Sequence, residues 1–234
     1  MALATKSQEG GWNVLKNEVE WLNMQKVRIS FAKRFFDLTV SLALIVLLLP
    51  FILLIILLML AEDIFIPSSR GGIFYAETRI SEGRQFKIYK FKIYKSGILN
   101  KLREKGELIH TKQLEQNNNN LTYVGIMLKK VYMDELPQLI NILKGDMSLV
   151  GPRPTNSENY KALIAKGCYS KQLIRAGLTG YFQSHKGLKI DKGQEELDME
   201  YIDFARNNPG WKVVLYDIKI IFITILTILR AEGI

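Results

Sequence analysis

Residues 38–60 form a long apolar run that carries no charged side chain. As one straight helix, this run would be about 35 Å long, which is enough to cross the hydrocarbon core of a bilayer. Helices in soluble cores rarely stay apolar on every face over such a length. The run therefore predicts insertion into a membrane, and any fold proposed for the chain must place it there.

Pro50 stands in the middle of this run and leaves two paths open. An interior proline removes a backbone hydrogen bond and kinks a helix, at a cost of about 3 kcal/mol. The run either crosses the bilayer with a kink or bends at Pro50 and returns to the face that it entered. Lys33 and Arg34 precede the run and favour a cytoplasmic position for its N-terminal end. A full crossing would then place the rest of the chain outside the cytoplasm.

The composition favours a membrane surface and phosphorylated ligands as partners. The chain of 234 residues has a formal net charge of +9, which suits anionic lipids, phosphate groups or nucleic acid. Nucleic acid is not expected, because the sequence has no zinc-ligand spacing, aromatic ribonucleoprotein pattern or basic helix-turn-helix. Cys168 is the single cysteine, which excludes a disulfide bond within the chain.

Residues 129–154, KKVYMDELPQLINILKGDMSLVGPRP, combine an acidic pair, a short helix and a Pro-Arg-Pro corner. The apolar residues at helical spacing are Leu136, Leu139, Ile140 and Leu143. This spacing predicts that they pack inward, while Gln138 and Asn141 lie on a polar stripe with Asp134. Asp134 and Glu135 then lie at the helix N-terminus, where the helix dipole favours anionic groups.

The string DELPQLINILKGDMSLVGPRP resembles the signature of the bacterial sugar transferases, the monotopic phosphoglycosyl transferases that start glycan assembly on a lipid carrier. The resemblance extends from about residue 31 to the C-terminus. It implies an α+β, mainly helical fold: a monotopic membrane protein with a re-entrant helix-break-helix, a small β-hairpin and interfacial amphipathic helices. In this family a Ser-Pro pair commonly forms the break, whereas Leu49 and Pro50 stand there in this chain. We expect Pro50 to mark the membrane break.

The patterns predict three parts of the chain. These are an N-terminal arm at residues 1–30, the re-entrant membrane helix at 31–62 and a cytoplasmic catalytic domain at 63–234. In the last part, residues 73–93 predict a β-hairpin with its turn at Ser81-Glu82-Gly83. An insert at about 97–121 with the tract QNNNN predicts a mobile loop. The apolar face of residues 211–229 predicts an interfacial helix; packing against the protein's own core is the alternative.

The resemblance implies phosphoglycosyl transfer from a UDP-sugar to undecaprenyl (polyprenyl) phosphate, with release of UMP. In the family the reaction passes through a covalent aspartyl phospho-sugar intermediate. Carried onto this chain, Asp134 is the nucleophile, and Glu135 is its partner in holding Mg²⁺. Carboxylates and substrate phosphates are ligands that magnesium prefers, and a carboxylate is a workable covalent nucleophile.

Five further side chains are expected to bind substrate. Arg153 stands between two prolines that restrict its backbone, which suits a fixed guanidinium clamp for phosphate. Arg175 and Gln183 belong to the segment RAGLTGYFQ, which resembles the family block R-P-G-[IL]-T-G-W-x-Q. Arg79 and Lys90 belong to the predicted hairpin, in a segment that resembles the block R-x-G…F…YKFR. A solvated basic face is the alternative for these last two.

Two other functions fit the same features. A glycosyltransferase that moves the sugar alone would release UDP, and a non-catalytic, membrane-anchored polysaccharide assembly protein would turn over no donor. For the transferase, we expect the bacterial cytoplasmic (inner) membrane, with the catalytic domain on the cytoplasmic face. The expected partners are a UDP-sugar, a polyprenyl phosphate and membrane lipid, in the first membrane step of exopolysaccharide, O-antigen or glycoprotein glycan synthesis. The sequence leaves the sugar and homo-oligomerisation open.

Overall fold

A computed structural model describes residues 25–98, 100, 114–185 and 191–229. The chain divides into two compact units, the first made of Met1–Thr39, Thr78–Phe86 and Lys144–Ile234, and the second of Val40–Glu77 and Lys87–Leu143. The predicted arm falls mostly on residues 1–24, and the predicted insert partly on residues 99 and 101–113, which lie outside the described residues. The predicted division into three parts stays a prediction.

The regular elements follow the chain in this order. They are α1 (Phe31–Phe65), β1 (Phe74–Ser81), β2 (Arg84–Phe91), α2 (Tyr123–Lys130), α3 (Gln138–Lys144), β3 (Met147–Val150), α4 (Ser157–Ala165), α5 (Ser170–Leu173), β4 (Ala176–Thr179), α6 (Tyr181–Ser184), α7 (Gln194–Asn207) and α8 (Gly210–Leu229). The mainly helical α+β class is confirmed, because small two-stranded sheets accompany the helices.

Helix α1 contains the whole apolar run. Within the part of the chain that the structure describes, α1 alone is long and apolar enough to cross a membrane, and little of its apolar surface is buried. The helix continues through Pro50, so the structure shows no break there. A helix rich in Leu and Ile tolerates the loss of one backbone hydrogen bond. Membrane anchoring fits this helix, and the re-entrant path stays a prediction.

The predicted hairpin is present as β1 and β2. Glu82 and Gly83 connect the two strands, and both have positive φ angles, 52° and 74°. Two consecutive positive φ angles give a turn whose twist matches that of the flanking strands. The hairpin prediction is therefore confirmed, including its turn.

The core of the second unit includes one face of the last turns of α1. Its buried side chains are Ile55, Met59, Tyr75, Phe91, Ile93, Tyr94, Leu121 and Leu128. Glu62 fixes α1 to α2, because its carboxylate accepts hydrogen bonds from the backbone nitrogens of Tyr123 at 2.7 Å and Val124 at 2.9 Å. These N–H groups have no partner within their own helix, and a carboxylate satisfies both.

The Asn-rich tract forms a defined turn where the structure describes it, and the predicted mobility of this insert stays a prediction. Asn118–Asn120 form a 3-10 helical turn. The side chain of Asn117 accepts a hydrogen bond from the backbone nitrogen of Asn119 at 3.0 Å. Leu121 then pairs with Tyr94 in an isolated bridge and is buried. Asn side chains readily stabilise local turns, so the tract shapes the backbone here.

The first unit contains a parallel pair of strands, β3 and β4. Glycines let the two strands and their flanking backbone approach closely. A Cβ atom on Gly151 would lie 2.3 Å from the carbonyl oxygen of Arg175, and one on Gly177 would lie 2.1 Å from the nitrogen of Gly151. Such distances leave no room for a side chain, so both positions require glycine for space.

A buried ion cluster joins the start of α1 to α8 in the first unit. Lys33 Nζ lies 2.6 Å from Asp37 Oδ1 and 2.7 Å from Asp217 Oδ2. Asp37 also accepts a hydrogen bond from Ser148 Oγ at 2.8 Å, and Tyr201 donates to Asp217 at 2.8 Å. Buried charges are stable in a protein only when ion pairs and hydrogen bonds compensate for the loss of water.

Helix α8 buries several of its polar residues and exposes a large apolar face. Asp217, Thr224 and Thr227 are buried. The large exposed apolar side chains are Trp211, Leu215, Ile218, Phe222, Ile225, Leu226 and Leu229. An exposed apolar face at helical spacing fits a helix that lies on a membrane surface. The interfacial position stays a prediction.

Candidate active site

Asp134 and Glu135 lie in the 3-10 helical turn Met133–Glu135, between α2 and α3. Tyr132, just before this turn, has a positive φ of 56°, a backbone conformation that is uncommon for residues other than glycine. The acidic pair follows this residue directly and stands just ahead of α3. The prediction that the pair lies at the N-terminal end of a short helix is confirmed.

The apolar stripe predicted for α3 is wrong in part. Leu139 is buried as expected, but Ile140 is 44% exposed and Asn141 is completely buried. The Asn141 carboxamide accepts a hydrogen bond from the nitrogen of Tyr89 at 3.0 Å and donates one to the carbonyl oxygen of Lys87 at 2.7 Å. Two bonds to β2 compensate for the burial of this amide, and they fix α3 against the strand that carries Lys90.

Lys90 of β2 reaches the acidic pair. Its Nζ lies 2.9 Å from Glu135 Oε1 and 3.9 Å from Asp134 Oδ2. The side chain of Lys90 is 19% exposed and that of Asp134 is 9% exposed. Lys90 therefore does not lie on a solvated basic face, which was the alternative for this residue. Two carboxylates lie within 4 Å of one ammonium group in a covered position, where charges interact more strongly than in water.

The pKa of Asp134 is raised to about 6. Burial is the main cause, because it disfavours the ionised carboxylate. Lys90 acts in the opposite direction, and the negative charges of Glu135 and Glu115 raise the pKa of Asp134 further. Perturbed carboxyl groups in covered positions are typical of functional sites.

Asp134 and Glu135 suit a hard divalent cation such as Mg²⁺. Both side chains offer oxygen donors only, and the two carboxylates are adjacent in the chain. Over the described ranges, no group of three or more His, Cys, Asp or Glu side chains is arranged to hold a metal ion. Magnesium commonly binds through one or two carboxylates and takes its other ligands from substrate phosphates and water. The pair fits such a partial ligand set.

Arg79 and Arg153 lie on neighbouring segments of the first unit. The nitrogen of Ile80 donates a hydrogen bond to the carbonyl oxygen of Thr155 at 2.8 Å. This bridge places the strand that carries Arg79 beside the Pro-Arg-Pro corner that carries Arg153. Both arginine side chains are half-buried, and their contact with phosphate stays a prediction.

Arg175 directly precedes β4, and Ser81 fixes its segment, because Ser81 Oγ accepts a hydrogen bond from the nitrogen of Ala176 at 3.0 Å. Nη1 of Arg175 approaches Gly145 from one side, and Nη2 of Arg34 approaches the same residue. Sequence reasoning missed this neighbour, because it used Arg34 only to orient the membrane helix. The doublet of Lys33 and Arg34 gave no signal that its two cations have different partners.

Gln183 on α6 is 2% exposed. Neither its amide nitrogen nor its amide oxygen has a hydrogen-bond partner among the described residues. A buried amide without partners costs about 1–3 kcal/mol. Gly180 makes room for it, since a Cβ atom on Gly180 would lie 2.7 Å from Gln183 Oε1. The predicted contact with substrate stays a prediction, because the side chain is covered in this structure.

The structure brings three of the predicted residues into one cluster in the second unit. These are Lys90, Asp134 and Glu135. The other four belong to the first unit and are Arg79, Arg153, Arg175 and Gln183. The residues therefore divide into an acidic centre with one lysine and a group of mainly basic residues.

Known proteins resemble this chain over most of its length. A UDP-glucose:undecaprenyl-phosphate glucose-1-phosphate transferase of Escherichia coli (strain K12) is 34% identical over 168 residues, which cover 68% of this chain and 33% of the relative. The "Uncharacterized sugar transferase EpsL" of Bacillus subtilis (strain 168) is 31% identical over 206 residues, 86% of this chain and 89% of the relative. The "Exopolysaccharide production protein ExoY" of Rhizobium meliloti (strain 1021) is 30% identical over 220 residues, 86% and 87% of the two chains.

The chain thus spans about a third of the E. coli relative and most of EpsL and ExoY. The sequence profile described as "Bacterial sugar transferase" matches residues 28–231. This match includes the acidic pair, the hairpin with Lys90 and all the predicted arginines. Because both the profile and the full-length relatives cover these segments, the chain belongs to the bacterial sugar transferase family.

Proposed function

We propose that this protein transfers a sugar-1-phosphate group from a UDP-sugar to undecaprenyl phosphate and releases UMP. The name of the E. coli relative describes this type of transfer for glucose. The observation that carries the proposal is the covered pair of Asp134 and Glu135, which share Lys90 within the region matched by the family profile. This pair offers a nucleophilic oxygen and a place for a metal ion side by side.

In the first step, a carboxylate oxygen of Asp134 forms a bond to the β-phosphorus of the UDP-sugar. The bond between this phosphorus and the bridging oxygen of the diphosphate breaks, and UMP leaves with that oxygen and its electron pair. Asp134 then carries the sugar phosphate as a mixed anhydride. With a pKa of about 6, this carboxyl group is mostly ionised at neutral pH and ready to attack.

In the second step, an oxygen of undecaprenyl phosphate attacks the same phosphorus. The bond to the Asp134 oxygen breaks, so that the carboxylate is regenerated and the lipid carries a diphospho-sugar. Each step exchanges one phosphorus–oxygen bond for another, and neither requires a redox partner. The order of the two steps predicts ping-pong kinetics.

Cations are proposed to offset charge during both steps. Glu135 and Asp134 would hold Mg²⁺, which when bound neutralises the diphosphate and the leaving phosphate. Lys90 limits the repulsion between the acidic pair and an anionic substrate, because its ammonium group lies within 4 Å of both carboxylates. Arg79, Arg153 and Arg175, with Gln183, are proposed as further substrate-binding groups.

The membrane elements fit an acceptor whose phosphate lies at the bilayer surface. Helix α1 provides the anchor, and the exposed apolar face of α8 fits the interface. We propose that α1 bends at Pro50 and returns to the cytoplasmic face of the inner membrane. A return to this face keeps the acidic pair on the side where nucleotide sugars are found.

The decisive experiment identifies the released nucleotide. The purified chain in nanodiscs receives Mg²⁺, undecaprenyl phosphate and a panel of UDP-sugars, and UMP and UDP are separated by chromatography. We expect UMP from the wild type and from the Asp203→Asn control, and none from Asp134→Asn. Release of UDP would support a glycosyltransferase, and no release with any donor would support an assembly protein. Mass spectrometry of samples without acceptor should find a sugar phosphate on Asp134.

A further inference from the structure

A cavity of about 290 Å³ in the first unit is lined by residues 25–30, the end of α7 and the start of α8. Residues 25–30 are fixed to the fold, because the nitrogen of Val27 donates a hydrogen bond to the carbonyl oxygen of Leu173 at 2.8 Å. Nη2 of Arg206 also donates to the carbonyl oxygen of Gln25 at 3.1 Å. The cavity has about the volume of the smaller ligand sites in proteins, and the proposed reaction uses none of its lining residues.

Among the described residues that line this cavity, four are cations and none is an Asp or Glu. The cations are Lys26, Arg28, Lys33 and Arg206. Lys33 is balanced by the buried ion cluster, and Arg206 lies 3.5 Å from Asp203. Lys26 donates a hydrogen bond to the backbone carbonyl oxygen of Glu82 at 2.8 Å, which contributes no charge. Arg28 is exposed and forms no ion pair with a described residue. No carboxylate of the described chain therefore balances Lys26 or Arg28.

Exposed aromatic side chains adjoin the cavity where α1 and α8 begin. Phe31 follows Ser30, and Trp211 follows Gly210, and both Ser30 and Gly210 line the cavity. The two helix starts are in contact, because a Cβ atom on Gly210 would overlap Ser30 Oγ. Phe31 is 86% exposed and Trp211 is 58% exposed, and Lys212 Nζ lies 5.6 Å from the centre of the Trp211 ring. Aromatic rings beside Lys and Arg are typical of the headgroup level of a bilayer.

We propose that this cavity binds the phosphate of an anionic phospholipid of the bilayer. Lys26 and Arg28 would contact the phosphate, and the planar guanidinium of Arg28 offers two parallel donors to its oxygens. The acyl chains would lie against Phe31 and Trp211, which would remove exposed apolar surface from water. A soluble phosphate has no such chains, so the exposed aromatic side chains favour a lipid.

The charge of the cavity also selects among lipids. A zwitterionic phospholipid carries an ammonium group, and no carboxylate among the described lining residues would balance that group. An anionic headgroup lacks this extra positive charge. The bound lipid would hold the starts of α1 and α8 at the headgroup level. This role does not depend on the reaction proposed for the acidic pair.

The first test measures lipid binding by native mass spectrometry of the full chain in dodecyl maltoside. We expect one phosphatidylglycerol to bind the wild type more tightly than phosphatidylcholine does. The Kd for phosphatidylglycerol should rise about fivefold in Arg28→Gln and about tenfold or more in Arg28→Glu. The matched control is Arg84→Glu, whose arginine is exposed on β2, and its Kd should change less than about twofold.

The second test fills the cavity without changing any charge. Ala205 lines the cavity, so the larger side chain of Ala205→Leu should weaken the binding of phosphatidylglycerol. Ala162→Leu is the matched control, because Ala162 is exposed on α4 and outside the cavity, and it should bind as the wild type does. The Tm of both variants shows whether they fold. If Ala205→Leu does not fold, the Arg28 variants decide.

Several results would overturn this inference. They are equal affinity of the wild type for phosphatidylglycerol and phosphatidylcholine, an unchanged Kd in Arg28→Glu, and an equal loss in Arg84→Glu, which would reflect net charge alone. Equally tight binding of glycerophosphoglycerol, the same headgroup without acyl chains, would assign the cavity to a soluble phosphate. Displacement of phosphatidylglycerol by undecaprenyl phosphate in the wild type but not in Arg28→Glu would assign it to the acceptor.

This site and the proposed reaction can fail separately. If no UDP-sugar is turned over but the binding of phosphatidylglycerol depends on Arg28, the reaction is wrong and the lipid site stands. If UMP is released and Arg28→Glu binds phosphatidylglycerol as the wild type does, the reaction stands and the lipid site is wrong.

Discussion

Lys90 donates a hydrogen bond to Glu135 over 2.9 Å, whereas the nearest oxygen of Asp134 lies 3.9 Å from the same nitrogen. The two acidic residues therefore differ in their relation to one cation. Glu135 forms the direct ion pair, and Lys90 acts on Asp134 mainly by Coulomb attraction over the longer distance. This difference suits a division of roles in which Glu135 is held in place and Asp134 reacts.

The first prediction concerns the pH dependence of the reaction. Lys90 lowers the pKa of Asp134 against the effect of burial, so Lys90→Gln should raise this pKa further above 6. As the proposed nucleophile, Asp134 would attack only when ionised, so activity should be lost as the pH falls through its pKa. We expect the acid limb of kcat/KM to move to higher pH, measured as UMP release between about pH 5 and 8.

A matched control for this prediction is Lys130→Gln, which removes an exposed lysine from α2 in the same unit. The Lys130→Gln variant should leave the pH of the acid limb of kcat/KM unchanged. An identical pH profile for Lys90→Gln and the wild type would mean that Lys90 does not act on the nucleophile.

The second prediction concerns stability. Burial raises the pKa of Asp134 from 3.8 to about 6, so the folded state binds this proton more tightly than the unfolded state. The ionised side chain therefore destabilises the fold above about pH 6. Asp134→Asn should stabilise the protein at pH 8 by up to about 3 kcal/mol, and the gain should shrink as the pH falls through 6. Thermal unfolding of Asp134→Asn and the wild type at several pH values measures this gain. A loss of stability of Asp134→Asn at pH 8 would contradict the raised pKa of Asp134.

Local sequence signals predicted several parts of the site. The acidic pair stands ahead of a short helix, the hairpin turns at Glu82 and Gly83, and the apolar residues 38–60 are helical. Each of these features depends on residues close together in the chain. Turn residues, helix starts and apolar runs leave a pattern that a single sequence displays.

Contacts between distant residues were not predictable in the same way. Asn141 looked like a polar surface residue, but its amide pairs with the β2 backbone and is buried. Lys33 and Arg34 form one basic doublet in the sequence, yet Lys33 joins a buried acidic pair and Arg34 approaches Arg175. Both outcomes depend on which segments meet in three dimensions, and hydrophobic periodicity carries no information on that pairing.

The third prediction concerns the close contact between β3 and β4. Gly177→Ala would place a Cβ atom 2.1 Å from the nitrogen of Gly151, so the strands would have to separate. We expect the free energy of unfolding to fall by about 1–3 kcal/mol or more. This loss should be visible as a lower Tm and poor expression. Gly193→Ala is the matched control, because a Cβ atom there meets nothing within 4 Å. Normal stability of Gly177→Ala would show that the backbone here yields easily.

The fourth prediction concerns the ion cluster at the start of α1. Lys33→Met would leave Asp37 and Asp217 buried without their shared cation, which typically costs about 3–5 kcal/mol. The pKa of Asp217 is already raised to about 6, mainly by burial, although Lys33 lowers it. Without Lys33 this pKa should rise further, so the loss of stability should be largest above pH 7 and smaller at pH 5, where protonation removes the charge.

A variant series separates the lost charge balance from the lost packing of the lysine chain. Lys33→Met combined with Asp37→Asn and Asp217→Asn keeps similar side-chain volumes but removes every charge of the cluster. Because replacing a whole buried ion cluster costs less than breaking it, this triple variant should be more stable than Lys33→Met alone. Thermal unfolding at pH 5 and pH 8 decides the question. If the triple variant is no more stable than Lys33→Met, the lysine holds α1 to α8 by packing and not by its charge.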